Sequence, residues 1–319
     1  MVKGAICRAI DRMVIRAAAE ALEDQELDCH VAEATKLMAD PEFMAFPVKS
    51  PADFNEGVDR TFRFSSAVRS PWAQNNVVHG KLYRAGRDWA KKPATILLHG
   101  WNGEGGYYWQ FPYLARRLNR RGVNAAMIEL PYHAQRRPSE PGAVRNFISR
   151  DLLRMVEATR QSLADIRAMA AWLRAQGVPR VGVWGVSLGA WFGGLAASYD
   201  PTIEFAVFLS PVVRMDQAVH ELEFCAPIRR GLAGHDVALD QFNLAAHPPA
   251  AEPRHVLLVQ SVYDLFAPAA TIDELWEAWG RPVMWRERHG HITILASVPV
   301  LERITRWVGR TAREMTNGE

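Results

Sequence analysis

The feature that most constrains this chain is a pentapeptide and what flanks it. Gly185-Val186-Ser187-Leu188-Gly189 follows a short apolar run, Val181 to Trp184, and precedes Ala190, Gly193, Gly194, Ala196 and Ala197. The run before it reads as a buried strand, and the small residues after it as a helix pressed closely on a sheet. A chain that turns directly from strand into helix holds the middle side chain at the tip of the turn, in a backbone region costing roughly 1–3 kcal/mol. Gly185 and Gly189 leave the room that a crossing strand and helix need. Ser187 is therefore expected to project into a cleft, above helix-start amides that favour negative charge. A Gly-rich turn without chemistry has the same local pattern. The rest of the chain has to decide between them.

The 319 residues, 49% of them hydrophobic, can bury a sizeable core. A formal net charge of +3 without long Lys/Arg runs argues against a nucleic-acid partner. Cys7, Cys29 and Cys225 are few, odd in number and lack metal-ligand spacing. That usage fits a reducing compartment. No apolar run approaches a membrane span and no secretory signal pattern opens the chain. The expected location is cytoplasmic.

Residues 5–24 have helical spacing, with Ile6, Ile10, Met13, Val14, Ala17 and Ala21 on an apolar stripe and Arg8, Arg12 and Arg16 on a basic one. Such a helix can pack on its own chain, lie on a membrane surface or join a homo-oligomer. A second helix is expected over Val31–Met38, before Asp40-Pro41. After a connector at 41–75, with a strand in it at Arg60–Phe64, the strand signals are Val77–Tyr83, Ala94–Leu98, Val123–Leu130, Val181–Trp184, Phe205–Leu209, His255–Gln260 and Val283–Arg286. Between them lie helical stretches at Tyr107–Arg121, a segment reaching Met155, Thr159–Gln176 and Ile272–Trp279, and a last helix spans Val300–Met315. The loop after the Val123–Leu130 strand is marked by Pro131, Pro138, Pro141 and Gly142. From Pro211 to Pro253 the alternation breaks, and that segment reads as a small helical lid. Buried strands alternating with amphipathic helices define an α/β fold with a mostly parallel central sheet. Residues 1–60 are expected to form an N-terminal helical extension, and 61–319 the main domain with its lid insertion.

In such sheets the chemistry gathers at the carboxyl ends of the strands. A serine hydroxyl needs a base, and the base needs a group to hold its tautomer. Asp264 follows one strand and His289-Gly290-His291 follows the next. The chain order Ser187, Asp264, His291 suits that relay, with Asp216 as the other candidate acid and His289 as the other candidate base or a substrate contact. Negative charge on a tetrahedral intermediate needs two N–H donors. Leu188, after the serine, and Trp101, in the Gly-rich loop after Ala94–Leu98, are positioned by sequence to supply them. His99 reads as a brace for that loop. Arg136 and Arg137, on the Pro-flanked loop after Val123–Leu130, could grip an anionic group of a substrate.

Leu97-Leu98-His99-Gly100-Trp101, Gly185-Val186-Ser187-Leu188-Gly189, Gln260-Ser-Val-Tyr-Asp264 and Gly290-His291 together resemble the α/β-hydrolase superfamily over about residues 75–310. Leu130-Pro131-Tyr132-His133 with Arg136-Arg137-Pro138 is loosely similar to a branch of α/β-hydrolase-domain proteins that includes lipid deacylases. Ser261 stands where many members carry Gly. The resemblance implies a serine hydrolase cleaving small-molecule carboxylic esters through an acyl-enzyme, with no metal or organic cofactor and no integral membrane segment. Thioester or amide hydrolysis and acyl transfer would use the same residues, and a non-catalytic scaffold of this fold is the alternative of another class.

Overall fold

The computed structural model describes residues 2–23, 29–140, 143 and 145–318. Strands β1 (Asn55–Glu56), β2 (Thr61–Ser65) and β3 (Val77–Tyr83) run antiparallel to their neighbours. Strands β4 (Ala94–Leu98), β5 (Asn124–Ile128), β6 (Val181–Val186), β7 (Ile203–Leu209), β8 (Val256–Ser261) and β9 (Val283–Glu287) are mutually parallel. Together they make a nine-stranded sheet in the order β1-β2-β3-β5-β4-β6-β7-β8-β9. The mostly parallel sheet expected from the apolar runs is present, with the short β1 added at its edge.

Every residue of β4, β5, β6 and β8 is buried, as strands covered on both faces must be. Alternation along each strand divides the side chains between two cores. Ile96, Leu98, Val181 and Val183 join one core, while Leu97 and Trp184 join the other. The first core takes α2 (Val31–Met38), α4 (Leu152–Ala175), α5 (Leu188–Tyr199) and α8 (Ala269–Ala278). The second takes α3 (Phe111–Asn119) and α10 (Val298–Asn317).

Helix boundaries differ from the sequence reading where a local rule is decisive. The two stretches around Met155 and Thr159–Gln176 are one helix, α4, because nothing between them breaks it and the Asp151 carboxylate accepts the Arg154 N–H at 3.2 Å to start it. The stretch expected over Tyr107–Arg121 is a π-turn at Gly106–Gln110 followed by α3. Pro112 lies in the first turn of α3 and has no N–H to donate backward. Pro141 and Gly142 lie outside the described residues.

The segment after β7 holds α6 (Met215–Glu221) and α7 (Ala226–Leu232) joined by short 3₁₀ turns. It is pinned to the body by Trp191 Nε1, donating to Phe242 O at 2.8 Å, and Trp279 Nε1, donating to Leu244 O at 2.9 Å. The first helix, α1 (Val2–Glu23), ends at the limit of the described residues, so Asp24 lies outside them. Its inward face is Gly4, Cys7, Asp11, Ile15 and Ala18, not the expected apolar stripe; Ile6 and Met13 are 54% and 64% exposed. The helix is turned this way because Asp11 finds backbone donors inside, and because Gly4 lets the Tyr263 ring approach. A short helix, α9 (His291–Leu295), begins at the histidine singled out by sequence.

Candidate active site

The turn after β6 is built on steric necessity. Ser187 sits at φ 52 and ψ −116, a conformation rarely adopted by residues with side chains. A Cβ on Gly185 would fall 2.3 Å from Gly189 O, and one on Gly189 would fall 2.4 Å from both His99 O and Leu98 O. The glycines therefore let β6, α5 and the end of β4 cross at backbone distance. Ser187 N–H donates to Leu209 O at 2.9 Å, which fastens the strained residue to β7. Asn102, Tyr132, Ala134 and Ser210 also have positive φ, and each lies just past the carboxyl end of a strand. Five of the nine described non-Gly residues with positive φ thus lie at the carboxyl ends of the strands.

Ser187 Oγ lies 2.7 Å from His291 Nε2, and His291 Nδ1 lies 2.8 Å from Asp264 Oδ2. An ionised carboxylate can only accept, so Nδ1 carries the proton and Nε2 is left to take one from the Ser187 hydroxyl. The other Asp264 oxygen accepts the Phe266 and Ala267 N–H groups, both at 2.8 Å. Burial alone would push the His291 pKa down; the adjacent Asp264 carboxylate and its hydrogen bond, with the charge of Asp11, outweigh that and leave it raised. The Phe266 ring lies 4.6 Å from the imidazole and helps keep it buried.

Leu188 opens α5, so its N–H is one of the helix-start donors without an intrahelical acceptor. Among the described residues nothing accepts the Trp101 N–H either. A Cβ on Gly100 would stand 3.3 Å from Ser187 Cβ, so the Trp101 loop passes directly against the serine.

Residues 71–220 match the family described as alpha/beta hydrolase domain containing 18. The chain has the α/β-hydrolase fold, and the matched stretch is similar to a family of that fold. An uncharacterised protein of Mycobacterium tuberculosis, present in two strains, is 28% identical over 194 residues, covering 56% of this chain. The chain spans 44% of the length of these curated relatives. Among solved structures, the α/β-hydrolase GrgF of Penicillium sp. sh18 is similar at TM-score 0.54 and 14% identity, over 79% of this chain and 98% of that one. The Pyrococcus furiosus esterase Pf2001 is similar at TM-score 0.54 and 16% identity, over 85% of this chain and 95% of that one.

In this fold the loop carrying Trp101 is braced by residues that sequence alone leaves ambiguous. His99 Nδ1–H donates to Gly100 O at 2.8 Å, and its Nε2 accepts from Leu130 N–H at 3.1 Å. His133 Nδ1–H donates to Pro131 O at 2.9 Å and its Nε2 accepts from Asn102 N–H at 3.3 Å. Burial pushes His99 down to about 4 and His133 well below the ordinary value, so both stay neutral. Arg137 adds an ion pair to Glu104 at 2.7 Å and a hydrogen bond to Asn102 Oδ1 at 3.1 Å. Two loops from neighbouring strands are thus tied into one support.

Other expected site residues are spent elsewhere. Arg136 is a correction: it is fully buried, with its guanidinium on Asn75 O and Glu129 O and paired to Asp165 at 2.8 Å, so no face is left for a substrate. Asp216 chelates Arg214, whose guanidinium holds its carboxyl down to about 2, and it makes no bond to His291. His289 lines neither cavity that reaches Ser187. Ser261, at the position where a glycine is usual, is buried with its hydroxyl 2.7 Å from that of Ser210. Sequence reasoning passes over Asp11, whose only signal is a carboxylate at the spacing of the buried face of α1. No group of three or more His, Cys, Asp or Glu side chains converges as metal ligands among the described residues. No described helix is long and apolar enough to cross a membrane.

Ser187 stands where two cavities meet. An outer cleft is walled by the Trp101 loop, His291 and α1 residues Val14, Ala17, Ala18 and Ala21. An inner cavity is lined by Trp101, Met155, Trp191, Phe224, Phe242 and Phe266, among others. Trp101 faces both and stacks on Phe224 of the lid segment at 5.3 Å.

Proposed function

We propose that this protein is a serine hydrolase that cleaves carboxylic esters with an apolar acyl group through an acyl-enzyme. The observation that carries the reading is the unbroken relay from a strained serine through His291 to Asp264, at the mouth of an apolar cavity. Ser187 Oγ attacks the carbonyl carbon while His291 Nε2 takes its proton. The oxyanion faces the Leu188 and Trp101 N–H groups, and Asp264 stays ionised to stabilise the imidazolium. His291 then gives its proton to the leaving alcohol oxygen as the C–O bond breaks. A water attacks the acyl carbon by the reverse path, returning Ser187 and the free acid.

The inner cavity supports an apolar acyl group. Thr159, Ser187 and the Cys225 thiol are set in a lining made otherwise of aliphatic and aromatic side chains, the surroundings an apolar acyl group needs. Cys225 is no competing nucleophile, because burial pushes its thiol up to about 12. A fluorophosphonate probe with a panel of acyl esters of increasing chain length tests the reading. The expected result is labelling at Ser187 and turnover that rises with apolar chain length until the cavity is filled. Undiminished labelling of Ser187→Ala would overturn it.

A further inference from the structure

Asp11 is fully buried in the middle of α1, and among the described residues its carboxylate bonds only to backbone N–H groups of the two loops that carry the acid and the base. Its Oδ2 accepts from His291 N–H at 2.9 Å and from Leu265 N–H at 3.2 Å; its Oδ1 accepts from Ile292 N–H at 3.1 Å. Leu265 directly follows Asp264, and His291 and Ile292 open α9, whose first amides have no intrahelical acceptor. The carboxylate thus caps α9 from another element, 280 residues away in sequence. Gly290 is what lets it in, since a Cβ there would fall 2.9 Å from Asp11 Oδ2. Cys7, one turn earlier, adds a contact to Thr293 Oγ1 at 3.4 Å.

We propose that Asp11 is a positioning residue of the hydrolase: one carboxylate from the N-terminal helix sets the spacing between the Asp264 and His291 loops, and its charge supports the imidazolium during turnover. The inference rests on the Ser187–His291–Asp264 reading and adds to it that the site is incomplete without α1. Two other observations agree. The inward face of α1 is the one that carries Asp11, leaving Ile6 and Met13 in solvent, so the helix is oriented by this carboxylate rather than by its apolar stripe. The same helix walls the outer cleft beside Ser187.

The groups acting electrostatically on His291 are Asp264, from the β8 loop, and Asp11, from α1; Ser187 is its hydroxyl partner, and the Cys7 Cβ lies against Gly290 beside it while its thiol meets Thr293 Oγ1. Removing the Asp11 charge should therefore lower the His291 pKa. In full-length Asp11→Asn, kcat/KM on the best ester is expected to fall about 10²-fold, the scale of a sub-ångström to ångström misplacement. The acid limb of its pH profile should move to lower pH than in the wild type. Arg8→Ala, which loosens α1 through its 5.1 Å stacking on Tyr263 without touching the carboxylate, should lower the urea midpoint and leave the acid limb in place. Should Asp11→Asn not fold, Asp11→Glu carries the test, with charge kept and oxygens displaced: rate lost, acid limb unmoved. Probe-titrated sites that turn over at the wild-type rate with the wild-type pH profile in Asp11→Asn, or an undiminished rate in Asp11→Glu, would overturn the inference. A wild type that neither labels nor hydrolyses would instead overturn the serine-hydrolase reading on which it rests.

Discussion

At the scale of the residue, Ser187 combines a strained backbone with a hydroxyl aimed at a base. Ser187→Ala should lower turnover by a factor on the order of 10⁶ with folding intact, as removing a triad nucleophile does. His291→Ala should be nearly as damaging, and Asp264→Asn should cost roughly 10⁴, because it leaves the imidazole in the wrong tautomer. His289→Ala should leave the rate close to wild type, since that side chain lines neither cavity at Ser187. The raised pKa of His291 sets the pH dependence. The base works neutral, so kcat/KM should fall as pH drops through a value above about 6.5, the ordinary histidine pKa. An acid limb below that value would contradict the charge environment described for His291.

At the scale of the element, the proposed ester hydrolysis gives the segment after β7 the task of bounding the acyl group. Phe224 and Phe242 are buried on it and line the inner cavity, and both are fixed by aromatic contacts, Phe224 on Trp101 and Phe242 on Trp191. Phe224→Asn and Phe242→Asn should raise KM for long acyl chains more than for acetyl esters, because only the longer chains reach the altered wall. A rise independent of chain length would make the segment a rigid cover without a part in selection. The loops after β4 and β5 act as a second such unit, tied by His99, His133 and Arg137 into one support for the Trp101 amide.

At the scale of the whole molecule, buried polar groups hold elements together that are distant in the chain. Arg136 joins Asn75, Glu129 and Asp165 of α4 inside the fold. Arg136→Ala should cost about 3–5 kcal/mol in a urea titration, the price of leaving a buried charge unpaired. Esters with and without an anionic group should be affected alike in that variant. The neutral His99 and His133 impose an acid sensitivity. Their folded pKa values are lowered, so the unfolded chain binds more protons below about pH 6.5. Their contribution is fully present above that pH and is lost as pH falls toward 4, the folded value of His99. His291 acts in the opposite sense, stabilising at low pH and losing that contribution as pH rises. Urea midpoints taken between pH 7 and 4 should fall, and less steeply in His99→Asn.

Legible in the sequence were the strand-and-helix alternation, the Gly-spaced turn that strains Ser187, and the Ser, Asp, His order along the chain. Those follow from periodicity and from steric rules acting within a few residues. Which of His289 and His291 meets the serine, and whether Asp264 or Asp216 meets the histidine, depends on how the loops after β7, β8 and β9 are brought together, which no local pattern fixes. Arg136 shows the same limit: two adjacent arginines read alike, but one is swallowed by partners 61 residues before it and in α4 after it. Asp11 is the extreme case. No short-range rule connects a helix near the start of the chain to the amides of His291, since that contact exists only once the sheet has brought the ends of β8 and β9 beneath α1.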